Sequence, residues 1–205
     1  MRFSVANPTQ EDSIMKKTIS TQEIREIFPG INQLKDQDLA EKIALTWKDA
    51  FEHSNWDDLR TVWVDPDITR PVYLVDHVNC IAEMSLQTNA IISKYHPESA
   101  CDEQLLLALA LIHDVSKVLE FDPDEERGCR FSELGHQFQH AVIGACLAHE
   151  HGLPTQLVHL IHTHTGLCSI KPNYREGVFF LHMDLCHFRT VLYGSMREST
   201  NPNVR

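Results

Sequence analysis

Several histidines and an aspartate lie in apolar stretches of this sequence, where a buried polar side chain needs a hydrogen-bond or charge partner. His77 lies on the apolar stripe of a predicted helix, three residues after Leu74 and four before Ile81. The doublet His113-Asp114 ends a long apolar run. A buried carboxylate is costly without a counter-charge, and a divalent cation held by carboxylate and imidazole removes that cost. The pattern points to metal chemistry, although a single buried histidine is more often a hydrogen-bonded core residue.

The order of these residues resembles that of the HD superfamily of metal-dependent phosphohydrolases. The signature of that family is a histidine, a His-Asp doublet and a distant aspartate. Here these are His77, His113-Asp114 in LALIHDVSK, and Asp184 in FFLHMDLCHF. The resemblance covers roughly residues 70 to 194. It implies that these four residues hold a first metal ion and that Asp114 bridges to a second one.

Members of the superfamily that bind a second ion use two further histidines between the doublet and the final aspartate. His140 and His164 stand at these places, and the resemblance implies that they are ligands. His162 is the rival of His164. We prefer His164 because His162 shares a helix face with His159 and Gln156, which we expect to be exposed.

The resemblance also implies a reaction, the hydrolysis of a small phosphate ester or nucleotide. One or two divalent ions would activate a water molecule and neutralise phosphate charge. Asp114 and Lys117 would be the catalytic residues, with Lys117, one turn after Asp114, contacting the phosphate or orienting the bridging carboxylate.

Two other functions remain open in the sequence. The same six ligands serve di-iron oxygenases of the superfamily, which cleave C–C or C–P bonds with molecular oxygen. A non-catalytic HD module that only binds a ligand is the third possibility. The sequence does not distinguish Mn, Fe, Co, Zn and Ni, because ligand type and cellular supply together decide which ion is bound.

Helical spacing of apolar residues predicts the elements that must position these side chains. The predicted helices begin near Thr21 and at Arg70-Pro71, or span residues 36–53, 103–119, 132–151, 154–165 and 174–194. A loop is predicted around Pro123 and Gly128. No segment alternates convincingly with a period of two, so the predicted fold is all-α, a compact helical bundle of the HD-domain type.

The sequence suggests three segments. Residues 1–18 are predicted to be a flexible tail, residues 19–68 an N-terminal helical segment, and residues 69–195 the HD metal-binding domain, which forms one globular unit with the segment before it. The remaining histidines are interpreted as solvated or structural: His136, His149, His151, His159, His182 and His187.

Charge and composition narrow the possible partners. The formal net charge is -11, which disfavours binding to the phosphates of DNA or RNA. No apolar run reaches the roughly 20 residues that cross a bilayer, and the start lacks the apolar core of a signal peptide. Six scattered cysteines without a CxxC pair fit a reduced, cytoplasmic protein. We therefore expect a small phosphorylated substrate, while the oligomeric state stays open.

Overall fold

Helices surround one hydrophobic core. The structure is a computed structural model that describes residues 17–196. Its α-helices are α1 (Thr21–Ile27), α2 (Gln37–Glu52), α3 (Leu74–Tyr95), α4 (Glu103–Ile112), α5 (Lys117–Glu120), α6 (Glu133–Gln137), α7 (His140–Glu150), α8 (Thr155–Thr163) and α9 (Arg175–Val191). Single 3-10 turns cover Pro29–Gln33, Leu59–Thr61 and Pro97–Ser99. The predicted helical architecture is confirmed.

The first two helices begin at side-chain caps. Ser20 caps α1, and its hydroxyl accepts a hydrogen bond from the backbone N–H of Glu23, whose carboxylate accepts one from the N–H of Ser20. The N-cap is therefore Ser20, one residue before the predicted start at Thr21. The carboxylate of Asp36 accepts from two N–H groups in the first turn of α2, so the predicted span of residues 36–53 matches α2 with its two caps.

Helix α4 lies at the centre of the bundle, and it ends earlier than predicted. Seven consecutive residues from Leu106 to Ile112 are buried. Beyond Ile112 the chain makes tight turns in which the N–H of Val115 bonds to the carbonyl of Ile112. The carbonyl of Leu111 instead accepts the indole N–H of Trp47 at 2.7 Å. The predicted continuous helix over residues 103–119 is thus two helices, and the break falls at the His-Asp doublet.

A short antiparallel hairpin stands where a loop was predicted. Strands β1 (Phe121–Asp124) and β2 (Gly128–Phe131) pair with each other, and Phe121 lies opposite Phe131. The two phenyl rings pack edge to face with their centroids 5.2 Å apart. The carbonyl of Phe121 accepts the indole N–H of Trp56. The hairpin is only four residues long on each side, too short for a period of two to be recognised in the sequence.

Two further helix boundaries differ from the predictions. Helix α3 begins at Leu74 rather than at Arg70-Pro71, because the N–H of Leu74 bonds back to the carbonyl of Val62 in an extended bridge. The predicted helix 132–151 is divided into α6 and α7 by extended residues before His140.

The core connects the N-terminal helices with the rest of the described chain. Buried apolar residues form one cluster from Ile19 to Leu192. The proposed division at residues 68 and 69 stays a prediction, and residues 1–16 of the predicted tail lie outside the described part. Within residues 17–196, no helix is long and apolar enough to cross a membrane.

Candidate metal centre

The six predicted ligands come from separate parts of the chain and meet at the centre of the bundle. Their positions are the first turn of α3 for His77, the C-terminal cap of α4 for His113, the following turn for Asp114, the first residue of α7 for His140, the C-terminal cap of α8 for His164, and the middle of α9 for Asp184. The side chains are almost fully buried except those of His140 and Asp184, which are 17% and 19% exposed. Four of the six stand at helix ends or beside them, where the chain can turn a side chain inward.

The carboxylate of Asp114 lies between two pairs of histidines. Its Oδ2 atom is 3.3 Å from Nε2 of His77 and 3.3 Å from Nε2 of His113. Its Oδ1 atom is 3.4 Å from Nε2 of His140 and 3.5 Å from Nε2 of His164. In each of these two groups the potential ligand atoms all lie within 4.8 Å of one another. One carboxylate therefore offers a different oxygen to each of two possible ion positions.

Asp184 belongs to the side of His77 and His113. Its Oδ1 atom lies 3.3 Å from Nε2 of His77. It is not part of the tight group formed by His77, His113 and Asp114, so it joins that group through His77. A small approach of a partly exposed carboxylate would complete three or four ligands for a single ion.

Hydrogen bonds on the outer nitrogens set the orientation of the imidazole rings. Nδ1 of His113 donates to the carbonyl of Ala110 at 3.0 Å, and Nδ1 of His164 donates to the carbonyl of Ile161 at 2.6 Å. A carbonyl only accepts, so these Nδ1 atoms carry a proton, and in the neutral imidazole the inward Nε2 atom keeps a lone pair. This tautomer is the one that a metal ligand requires.

The other two histidines are backed by side chains. Nδ1 of His140 lies 3.3 Å from Oε2 of Glu120, and Nδ1 of His77 lies 3.0 Å from Nδ1 of His187. Burial, followed by the charge of His77, lowers the pKa of His187 to about 4, so His187 is neutral and can accept from His77. These contacts leave all four inward nitrogens free to turn a lone pair toward a metal ion at the centre.

The residues present fit a cation. Nε2 of His77 and Nε2 of His113 approach to 3.2 Å, as do those of His140 and His164, and such a contact is unfavourable unless a proton or a metal ion lies between the two nitrogens. Oδ1 of Asp114 is fully buried and has no hydrogen-bond partner. Burial alone would lower the pKa of His77, but the carboxylates of Asp114 and Asp184 outweigh it and raise that pKa. The cluster attracts positive charge, and an ion between the nitrogens and the orphaned oxygen would satisfy all of them.

Lys117 is buried beside the bridging carboxylate. Its ammonium donates to the carbonyl of Val64 at 2.8 Å and lies 3.3 Å from Oδ2 of Asp114. Burial would lower its pKa, but nearby carboxylates, those of Asp114 and Glu120 first, raise it above the usual range. Burial likewise opposes ionisation of Asp114, yet the neighbouring His113 ring and the Lys117 ammonium hold its pKa well below the usual range. Lys117 is therefore charged, and it fixes Asp114 in its ionised form.

The structure separates the two rival histidines. His164 faces Asp114, whereas Nε2 of His162 lies 3.6 Å from Sγ of Cys168. The sequence interpretation missed two partners of the cluster, Glu120 and His187. His187 follows Asp184 by three residues on α9, and this spacing on one helix face could have revealed it. Glu120 had the weaker signal of an acidic residue ending an apolar run.

Comparison with known proteins identifies the class of this chain. A protein-family model described as HD domain matches residues 81–198, more than half of the chain. The match begins after His77, so the position of that residue in the cluster rests on the geometry. No curated protein and no solved structure matches the chain.

Proposed function

The chain belongs to the HD-domain family, and we propose that it is a metal-dependent hydrolase acting on a small phosphate ester. The single observation that carries the proposal is the division of Asp114 between two histidine pairs. A carboxylate that offers one oxygen to each of two positions is the arrangement that a two-ion hydrolytic centre needs.

Each proposed ion would have its own ligands. One ion would be held by His77, His113, Asp114 and Asp184, and the other by His140, His164 and the second oxygen of Asp114. When bound, divalent ions lower the pKa of a coordinated water and neutralise phosphate charge. The nitrogen and oxygen ligands suit Mn, Fe, Co, Zn or Ni.

The protein side chains perform the positioning. Lys117 keeps Asp114 ionised and holds its Oδ2 toward His77 and His113. Glu120 lies behind His140 and favours the tautomer with the lone pair inward. Positioned charge of this kind, present before substrate arrives, is a main source of catalysis in phosphoryl transfer.

The size of the cavity beside the metal centre favours a small molecule as the substrate. A cavity of about 50 Å³ lies beside Lys117, Glu120 and His140. This volume admits a small terminal group but no polymer backbone. With a net charge of -11, the protein would also repel DNA and RNA, so we propose a small phosphorylated molecule as the substrate.

The test is phosphate release under nitrogen by the Mn²⁺-loaded protein, with phenyl phosphate as the substrate. We expect turnover that is abolished in Asp114→Ala and retained in His151→Ala. His151 is a matched control because its Nε2 also pairs with a carboxylate, that of Asp49 at 3.2 Å, outside the cluster. Oxygen consumption by the iron-loaded protein with an organic substrate, together with no phosphate release, would replace this proposal by the oxygenase alternative.

A further inference from the structure

A second, larger cavity adjoins the small cavity beside the metal centre. Its volume is about 300 Å³, and it shares the lining residues Gln139 and Leu167 with the smaller one. Its walls come from the same elements that carry the candidate ligands. Ala141 follows His140 in α7, and His162 precedes His164 by two residues at the end of α8. A group attached to a phosphoryl at the centre would therefore extend into the larger cavity.

The described residues that line the larger cavity include no permanently charged side chain. Among the described residues that form it, none is a lysine, arginine, aspartate or glutamate. Gln137, Gln139 and His162 can exchange hydrogen bonds with a ligand. Phe138 and Leu167 are large apolar side chains that are 36% and 47% exposed. A partner with an apolar face and a polar edge would cover this surface, and covering it is favourable.

The smaller cavity disfavours additional phosphates. Its lining includes the carboxylates of Asp65 and Glu120. Lys117 is the one lysine or arginine among the described residues that line either cavity. Its ammonium already contacts the carbonyl of Val64 and the carboxylate of Asp114. A second phosphate group in these cavities would meet the two carboxylates and no further lysine or arginine, which selects against it.

We propose that the substrate is a phosphate monoester whose leaving group is an uncharged organic alcohol with an apolar face, seated in the larger cavity. This inference rests on the proposed hydrolase function and specifies its substrate class. In the reaction the P–O bond to the organic group breaks, and a water oxygen forms the new P–O bond. One proton of that water ends on the departing alcohol oxygen and the other on the phosphate or in solvent.

The test compares ligands that share a phosphoryl or phosphonyl group and differ in the group attached to it. Binding of phenylphosphonate, inorganic phosphate and pyrophosphate to the Mn²⁺-loaded protein is measured by calorimetry under nitrogen. We expect phenylphosphonate to bind more tightly than phosphate or pyrophosphate. Ser169→Trp, at an exposed lining position, should weaken phenylphosphonate binding by about tenfold and leave phosphate binding unchanged. The neighbouring Ile170→Trp, at an exposed position outside both linings, is the matched control and should change neither.

The outcomes separate this inference from the hydrolase proposal. Pyrophosphate binding as tight as phenylphosphonate binding, equal effects of the two tryptophan variants, or no phenylphosphonate binding would overturn the inference. The expected binding pattern without hydrolysis of phenyl phosphate would support the assignment of the larger cavity and contradict the hydrolase proposal.

Discussion

Among single residues, Glu120 has a specific role in the metal centre. It lies directly before the β1–β2 hairpin and contacts His140, which forms the second histidine pair with His164. Its Oε1 accepts the backbone N–H of His140, and its Oε2 faces Nδ1 of the same residue. Glu120→Gln keeps the shape but removes the charge that makes the ring a stronger ligand. We expect the affinity for the second Mn²⁺ ion to fall by about 10- to 100-fold, with the first ion retained, in a calorimetric titration. Glu126→Gln, an exposed loop position, is the control. Equal affinities in all three proteins would contradict the role of Glu120.

Lys117 is expected to support both stability and catalysis, because its charge is buried beside that of Asp114. In Lys117→Met we expect the metal content to stay nearly unchanged while phosphate release falls strongly. In the absence of metal the variant should also lose about 3–5 kcal/mol of unfolding free energy, since one partner of a buried ion pair is left alone. Elemental analysis, turnover and urea unfolding check these three statements. Full turnover with normal stability would show that Lys117 neither positions Asp114 nor supports catalysis.

At the scale of elements, sequence reasoning located the helices better than their ends. Apolar spacing is a sum over many residues, so α2 and the apolar run of α4 could be predicted. The break after Ile112 depends on Trp47 taking the carbonyl of Leu111, a contact between residues 64 positions apart. Local propensity contains no information about it. That break determines the site, because it lets His113 and Asp114 point toward the same centre.

The same limit applies to the partners of the ligands. His77, His113 and Asp114 could be predicted because their order in the chain is characteristic. The backing of His77 by His187 joins residues 110 positions apart, and the hairpin that brings Glu120 toward α6 and α7 is too short to be recognised. Tertiary contacts of this kind become visible only in the folded chain.

Helices α5 and α6 pack so closely that a methyl group at Gly135 should disturb them. A Cβ atom added at Gly135 would lie 2.2 Å from the backbone oxygen of Glu120, so a backbone must move. We expect Gly135→Ala to lower the melting temperature of the protein. It should also lower the affinity for the second metal ion, because Glu120 is displaced. At Gly166 an added Cβ meets nothing within 4 Å, and Gly166→Ala should leave both properties unchanged. A melting temperature of Gly135→Ala equal to that of the wild type would contradict this packing.

At the scale of the whole molecule, the buried histidines link stability to metal and to pH. Burial, aided by neighbouring imidazoles, lowers the pKa of His164, and that of His187 falls to about 4. Below pH 6.5, the ordinary value, the unfolded chain binds protons that the folded chain does not. The metal-free protein should therefore lose stability as the pH falls from about 6.5 to about 4. His77 and His140, whose pKa values are raised, are protonated in both states well below pH 6.5 and add no slope there.

Urea unfolding across this pH range, with and without chelator, tests the linkage. We expect the metal-loaded protein to be more stable at neutral pH, because ions bind the folded state, and to lose that advantage as protons displace them. In the chelated protein His187→Phe should reduce the pH slope, and His182→Phe, an exposed position on the same helix, should not. Identical slopes in the two variants would show that His187 does not contribute.

The number of Mn²⁺ ions bound per chain decides whether Asp114 holds two ions between two histidine pairs. The measurement is elemental analysis of protein dialysed against Mn²⁺ and then freed of unbound ions. We predict about two ions per chain for the wild type and for His151→Ala, and well below one for Asp114→Ala, with the helical circular dichroism of all three alike. Equal metal content in the wild type and Asp114→Ala would contradict the claim.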